Sequence, residues 1–106
     1  MKLLTKEIMT AFKKQGYTGN KKPEDIKIIV KFFTPDGPAT WFCYELEDNG
    51  DILWCFANLG NDMFAELGTV RLSELKNIRG QLGLPVERDK YFGEHTLNEV
   101  INFKMR

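Results

Sequence analysis

Hydrophobic and polar positions change period several times along the chain, and each change marks an element. Leu4, Ile8 and Phe12 recur every fourth residue with Met9 and Ala11 beside them, the spacing of a helical stripe. Thr5 stands where a cap oxygen is needed and Gly16 where a left-handed stop is needed, with Tyr17 expected to fold back on the last turn. "TGNKKPED", residues 18–25, is polar and broken by Gly and Pro, which predicts a loop. From Ile26 to Phe33 the period becomes two. Ile26, Ile28, Val30 and Phe32 are expected on one face of a strand, and Lys27, Ile29, Lys31 and Phe33 on the other.

"TPDGPAT" predicts a turn, "WFCYELE" a second strand, and "DNGD" the strongest hairpin signal in the chain. "DILWCFANL" is the third strand, and "AELGTVRL" the fourth, beyond a looser connection at Gly60-Asn61-Asp62. A two-residue turn at Asn49-Gly50 would pair Asp48 with Asp51, Leu46 with Leu53, Tyr44 with Cys55 and Phe42 with Ala57 as an apolar core face. The opposite face would pair Glu47 with Ile52, Glu45 with Trp54, Cys43 with Phe56 and Trp41 with Asn58. That register sends Cys43 and Cys55 to opposite sides of the sheet, where a disulfide between them is excluded.

Ser73 is expected to cap a short helix, "ELKNIR", that Gly80 stops and that Leu72, Leu75 and Ile78 hold by packing. "TLNE", Thr96 to Glu99, reads as a capping box opening a last helix through Leu97, Val100, Ile101 and Phe103. The sum is an α+β fold: a single domain over residues 1–106, built on an antiparallel meander of about four strands with short flanking helices.

Composition adds limits. At 106 residues there is room for one core, and 42% hydrophobic with 28% charged residues is ordinary for a globular chain. No apolar run reaches the roughly 20 residues of a membrane helix, and the apolar start is too short for a signal peptide, so a cytoplasmic protein without a membrane partner is expected. The formal net charge of zero hides an uneven spread. Residues 1–31 carry +5, residues 32–75 carry −7 with Arg71 as their single base, and the remainder carries +2. Mutual neutralisation in the fold explains this without a partner and is favoured over a polar partner surface.

Candidate chemistry is thin. Two separated cysteines and one histidine, His95, do not make a zinc site, so no metal and no cofactor is expected. A Cys-His nucleophilic pair lacks an orienting third group, and strand cysteines are usually packing residues. The mixed sheet face is the best binding candidate. Trp41, Trp54, Phe56 and Phe33 would stack bases or anchor a protein, with Lys27 and Lys31 suited to phosphates and Glu45 and Glu47 unsuited to them. The alternative is that a helix covers the aromatics. In "NIRGQLGLPVERDKYF", residues 77–92, Arg88 with Glu87 or Asp89 reads either as an anion clamp with a base or as an internal tie for the chain's return to the sheet, and the tie is favoured.

"VKFFTPD", "ELGTVRLSEL" and "RGQLGLPVERDKYF", in that order after "MKLLTKE", resemble the family catalogued as domain of unknown function 2958 over nearly the whole chain. The chain departs from that family's pattern at Lys21-Lys22 and over Leu59 to Met63, both read as surface variation. The resemblance implies an accessory protein of plasmids, conjugative elements or phages, and it carries no activity or catalytic residue to transfer. Three functions stay open: a non-catalytic module binding a protein partner, which is preferred; a single-stranded nucleic-acid binder using the aromatic face; and a small enzyme built on Arg88 and neighbouring carboxylates. Oligomeric state is left open.

Overall fold

The computed structural model describes residues 1–103. Helix α1, Lys6–Gln15, is capped by Thr5, whose Oγ1 accepts Ile8 N at 3.2 Å, and stops at Gly16 with φ 66°. Tyr17 does not fold back over its last turn but stands exposed. A 3-10 turn at Pro23–Asp25 precedes the sheet. The strands are β1, Val30–Phe33; β2, Thr40–Leu46; β3, Ile52–Asn58; β4, Glu66–Arg71; and β5, Glu87–Arg88. Helix α2, Leu72–Asn77, follows β4, and α3, Leu97–Phe103, follows β5. The sheet order is β4-β3-β2-β1-β5, all antiparallel. The expected four-strand meander is therefore present, and the segment after Pro85 adds a fifth strand by returning beside β1.

Two expected registers change. Leu46 faces Leu53 and Glu45 faces Trp54 as the hairpin predicts, but a bulge at Tyr44 shifts every pair beyond it. Trp41 then faces Ala57, Phe42 faces Phe56, and Cys43 faces Cys55 directly. An extra residue on one strand flips the parity of all that follow. The two free cysteines thus lie on one face, both buried, instead of on opposite sides. The turn itself is also displaced. Gly50 N donates to Glu47 O at 2.9 Å, which puts Asp48 and Asn49 at its centre and Gly50, φ 74°, after it. In the first strand the alternation breaks at Ile29. Ile26 and Ile28 pack on one side of the sheet, Val30 and Phe32 on the other.

Both sides are covered. Phe12 of α1, Leu72 and Leu75 of α2, and Leu3 and Leu4 close over Val30, Phe32, Trp41, Cys43, Leu53 and Cys55. Leu97 and Val100 of α3 close over Ile28, Phe42, Tyr44 and Phe56, with Ile101 packed alongside; the Phe103 side chain lies outside the described residues. The Thr96 capping box forms as expected, Glu99 N donating to Thr96 Oγ1 at 3.2 Å. Helix α2 begins two residues earlier than expected. Asp51, not Ser73, caps it, accepting Ser73 N on Oδ1 at 2.9 Å and Leu72 N on its main-chain oxygen at 2.7 Å. The helix also ends at Asn77, before Gly80.

Candidate functional site

The bulge dissolves the expected aromatic-acidic face. Trp41 is buried in the layer under α1, Phe56 in the layer under α3, and Trp54 alone is exposed. Withdrawing a buried aromatic to stack a base would forfeit about 2–3 kcal/mol of burial. A stacked base returns only about 1–3 kcal/mol. Trp41 and Phe56 therefore gain nothing as a stacking platform. Trp54 Nε1 donates to Glu47 Oε2 at 2.8 Å, which pins the ring across the hairpin. Glu45 Oε1 accepts from Thr18 N at 2.9 Å and Thr18 Oγ1 at 2.6 Å, tying the loop after α1 to β2.

Arg88, Asp89 and Lys31 are likewise engaged inside the molecule. The Arg88 guanidinium donates to the main-chain oxygens of Lys2 and Leu3, fastening the N-terminal segment over the sheet. Asp89 lies 3.4 Å from Lys31 Nζ, and that ammonium sits 5.4 Å from the Phe92 ring centre and 5.7 Å from that of Phe42. A carboxylate and two ring faces thus compensate the largely buried charge of Lys31. Upstream, Asp36 Oδ2 accepts Leu82 N at 2.7 Å and Leu84 N at 3.2 Å, while Oδ1 is buried against Gly80 without a hydrogen-bond partner. A Cβ on Gly80 would overlap that carboxylate. The stretch from Asn77 to Phe92 is therefore joinery. It meets the Thr34–Gly37 turn through Asp36, β1 through Glu87 and Arg88, and the N-terminus through the Arg88 side chain.

Reactive groups are scarce at the surface. Burial pushes the Cys43 thiol well up, and the facing Cys55 adds to the shift. Burial also raises the Tyr44 hydroxyl to about 12. His95 Nε2 donates to Phe92 O at 2.9 Å and Nδ1 lies 3.1 Å from Glu99 Oε2, which holds the Glu99 carboxyl below its usual value. This pair borders a cleft of about 670 Å³ that Lys14, Lys21 and Lys27 share with Asp25 and Glu94. Lysines and carboxylates alternate there, so no single charge dominates. Lys27 borders this cleft and Trp41, Trp54 and Phe56 do not, so the cleft does not bring the lysines and aromatics of the expected binding face together. Among the described residues, no three His, Cys, Asp or Glu side chains gather as a metal site.

A different surface is open. Leu59, Met63, Phe64 and Leu67 are exposed, Met63 at 80% and Phe64 at 74%. They follow one another from the end of β3 through a 3-10 turn, Asp62–Phe64, into β4, and Leu67 shares the α3 side of the sheet with Trp54. β4 is a sheet edge. Leu72 N bonds Asp51 O, so by alternation Glu66, Gly68 and Val70 turn their main-chain groups to β3, and Leu67, Thr69 and Arg71 turn theirs outward. Glu74 Oε1 takes Arg71 N at 3.1 Å, which among the described residues leaves Leu67 and Thr69 as the open rungs. Sequence reasoning passes over these residues because it reads Leu59 to Met63 as surface variation and places Leu67 in a strand without assigning its face. The available signal is Met63-Phe64, an apolar pair in a polar connection beside a short strand.

The family described as "Protein of unknown function (DUF2958)" matches residues 3–103, and the chain belongs to it. No curated protein matches the chain, and no solved structure does.

Proposed function

We propose that this DUF2958 protein is a non-catalytic interaction module, and that a protein partner docks on the flank formed by β3, β4 and the turn between them. One observation carries the reading: Trp54, Leu59, Met63, Phe64 and Leu67 are exposed on consecutive or adjacent elements beside an unpaired strand edge. Scattered exposed apolar residues need no explanation, but a group of them marks an interaction surface. Internal engagement of Arg88, Asp89 and Lys31, and burial of both thiols, support a non-catalytic role. An accessory role on a mobile element, which the family resemblance implies, suits a protein that acts by binding another.

The test is capture from the native host with wild type and with the double variant Phe64→Ser/Leu67→Lys as bait. Both side chains are exposed, so the variant should unfold within about 0.5 kcal/mol of wild type. Wild type should retain a specific protein that the variant loses. A variant that keeps every wild-type partner would overturn the reading. Oligonucleotide binding that weakens steeply with salt and is lost in Lys14→Ala/Lys27→Ala would favour a nucleic-acid role at the lysine-bordered cleft instead.

A further inference from the structure

We infer that β4 takes up an extended segment of a basic protein as an added antiparallel strand, with a large side chain of that segment lying over Gly68 and a Lys or Arg beside Glu66. This rests on the docking flank proposed above and adds the mode of binding and the chemistry of the partner.

Three observations converge on it. The first is the open backbone of β4, whose N–H and C=O groups at Leu67 and Thr69 point away from β3. An extended peptide satisfies such an edge by main-chain hydrogen bonds and gains selectivity from alternate side chains. The second is Gly68, in the middle of β4. Its backbone does not enter the left-handed region, and a Cβ there would meet nothing within 4 Å. Neither backbone geometry nor internal packing calls for glycine, which is a weak strand former. An external side chain approaching the strand does call for it. The third is charge. Glu45, Glu47, Asp48, Asp62 and Glu66 lie on β2 to β4 and their turns, while Arg71 is paired with Asp51 at 3.2 Å. A second copy paired through its own β4 flank, or a nucleic acid, would bring negative charge to negative charge, whereas a basic segment complements it.

The sheet geometry then fixes a pattern. Partner residues opposite Leu67 and Thr69 form the hydrogen-bonded pairs. The residue opposite Gly68 is a non-hydrogen-bonded pair, in which Cα atoms approach to about 4.5 Å. Its side chain falls on the α1 side of the sheet, over the missing side chain, as aromatic residues do across from strand glycines. Two residues further along the partner, on the same side, comes the position opposite Glu66. The partner should therefore read large apolar, any strand former, then Lys or Arg.

Short random peptides displayed on phage, selected against the full chain, test this. A synthetic peptide of the enriched consensus is titrated against wild type, Thr69→Pro, Gly68→Val and Phe64→Ser. Thr69→Pro removes an N–H that faces away from β3, and Gly68→Val adds a side chain where there is space, so both should melt like wild type or, for Gly68→Val, higher. The consensus should carry a large apolar residue two positions before Lys or Arg, and each β4 variant should weaken binding by about tenfold or more. Peptides bound equally by wild type and Thr69→Pro would overturn strand addition. If Phe64→Ser still weakens those peptides, the docking flank survives that failure; if it does not, or if no peptide is enriched, both proposals fall. A sedimenting dimer of the protein alone that Thr69→Pro dissolves would make the occupant a second copy and overturn the basic partner.

Discussion

The two edges of the sheet are built from opposite kinds of residue. Beyond β1 the edge is closed. Glu87 and Arg88 pair with Phe33 and Phe32, Asp89 N donates to Lys31 O at 3.0 Å, and Arg88 draws in the N-terminus. Beyond β4 the edge is open, and the side chains around it are Met63, Phe64 and Leu67. Charged residues and glycines, the types most often found in reactive sites, are thus consumed in sealing one edge. Apolar residues, which ordinarily form the core, are left out at the other. An Arg beside carboxylates identifies a site only when those groups have no internal partner. Here unsatisfied surface is the better guide.

Loosening the closed edge should change stability and leave the open one unaffected. The largest effect is expected for Gly80→Ala. Its Cβ would displace Asp36, leaving the N–H groups of Leu82 and Leu84 without their acceptor, a loss of about 2–3 kcal/mol by urea unfolding. Arg88→Ala should cost about 1–2 kcal/mol by freeing residues 1–4 from β5, with no change in binding at β4. A wild-type melt for Arg88→Ala would return that side chain to the candidate binding residues.

The smallest expected effect depends on pH. The Glu99 carboxyl is held below its ordinary value of 4.5, chiefly by His95 and then by Thr96 N. A carboxylate whose folded value is lowered stabilises fully above its unfolded value and loses that contribution as pH falls through the folded one. The stability gap between wild type and Glu99→Gln should therefore be widest above pH 4.5 and shrink on acidification below it. A gap independent of pH would mean that Glu99 acts only by packing.

Local signals are legible in the sequence. Thr5, Gly16 and the Thr96–Glu99 box work within one helical turn, and the β2–β3 hairpin follows from residues adjacent to its turn. What the sequence hides depends on distant packing. Nothing near Tyr44 announces a bulge; it exists because Tyr44 packs under α3 while Cys43 and Leu46 pack on the other side. The break at Ile29 has the same cause, since Ile28 serves α3 and Val30 serves α1. Strand β5 is two residues long and defined by its partner, Phe32-Phe33, so no periodicity of its own could reveal it. Of the expected site residues, Glu45 and Trp54 pair as the turn predicts because they lie between the turn and the bulge. Trp41 and Phe56 lie beyond it, so the turn alone wrongly sends them to one face together.

The tie between Arg88 and Lys2 also bears on how the molecule is assembled. The two residues are separated by 86 positions, and the entropy of closing so long a loop must be met before the contact contributes. Strands β1 to β4 need only neighbouring segments, so the meander can condense while the rest of the chain is still being synthesised. Until residue 88 emerges, β1 has an unprotected edge as well as β4, and a nascent chain offers two templates for wrong pairing. Completion of β5 covers the β1 edge with a two-residue strand whose Arg88 N–H turns to Met1 Sδ, and leaves β4 as the longer edge on which the sheet can grow.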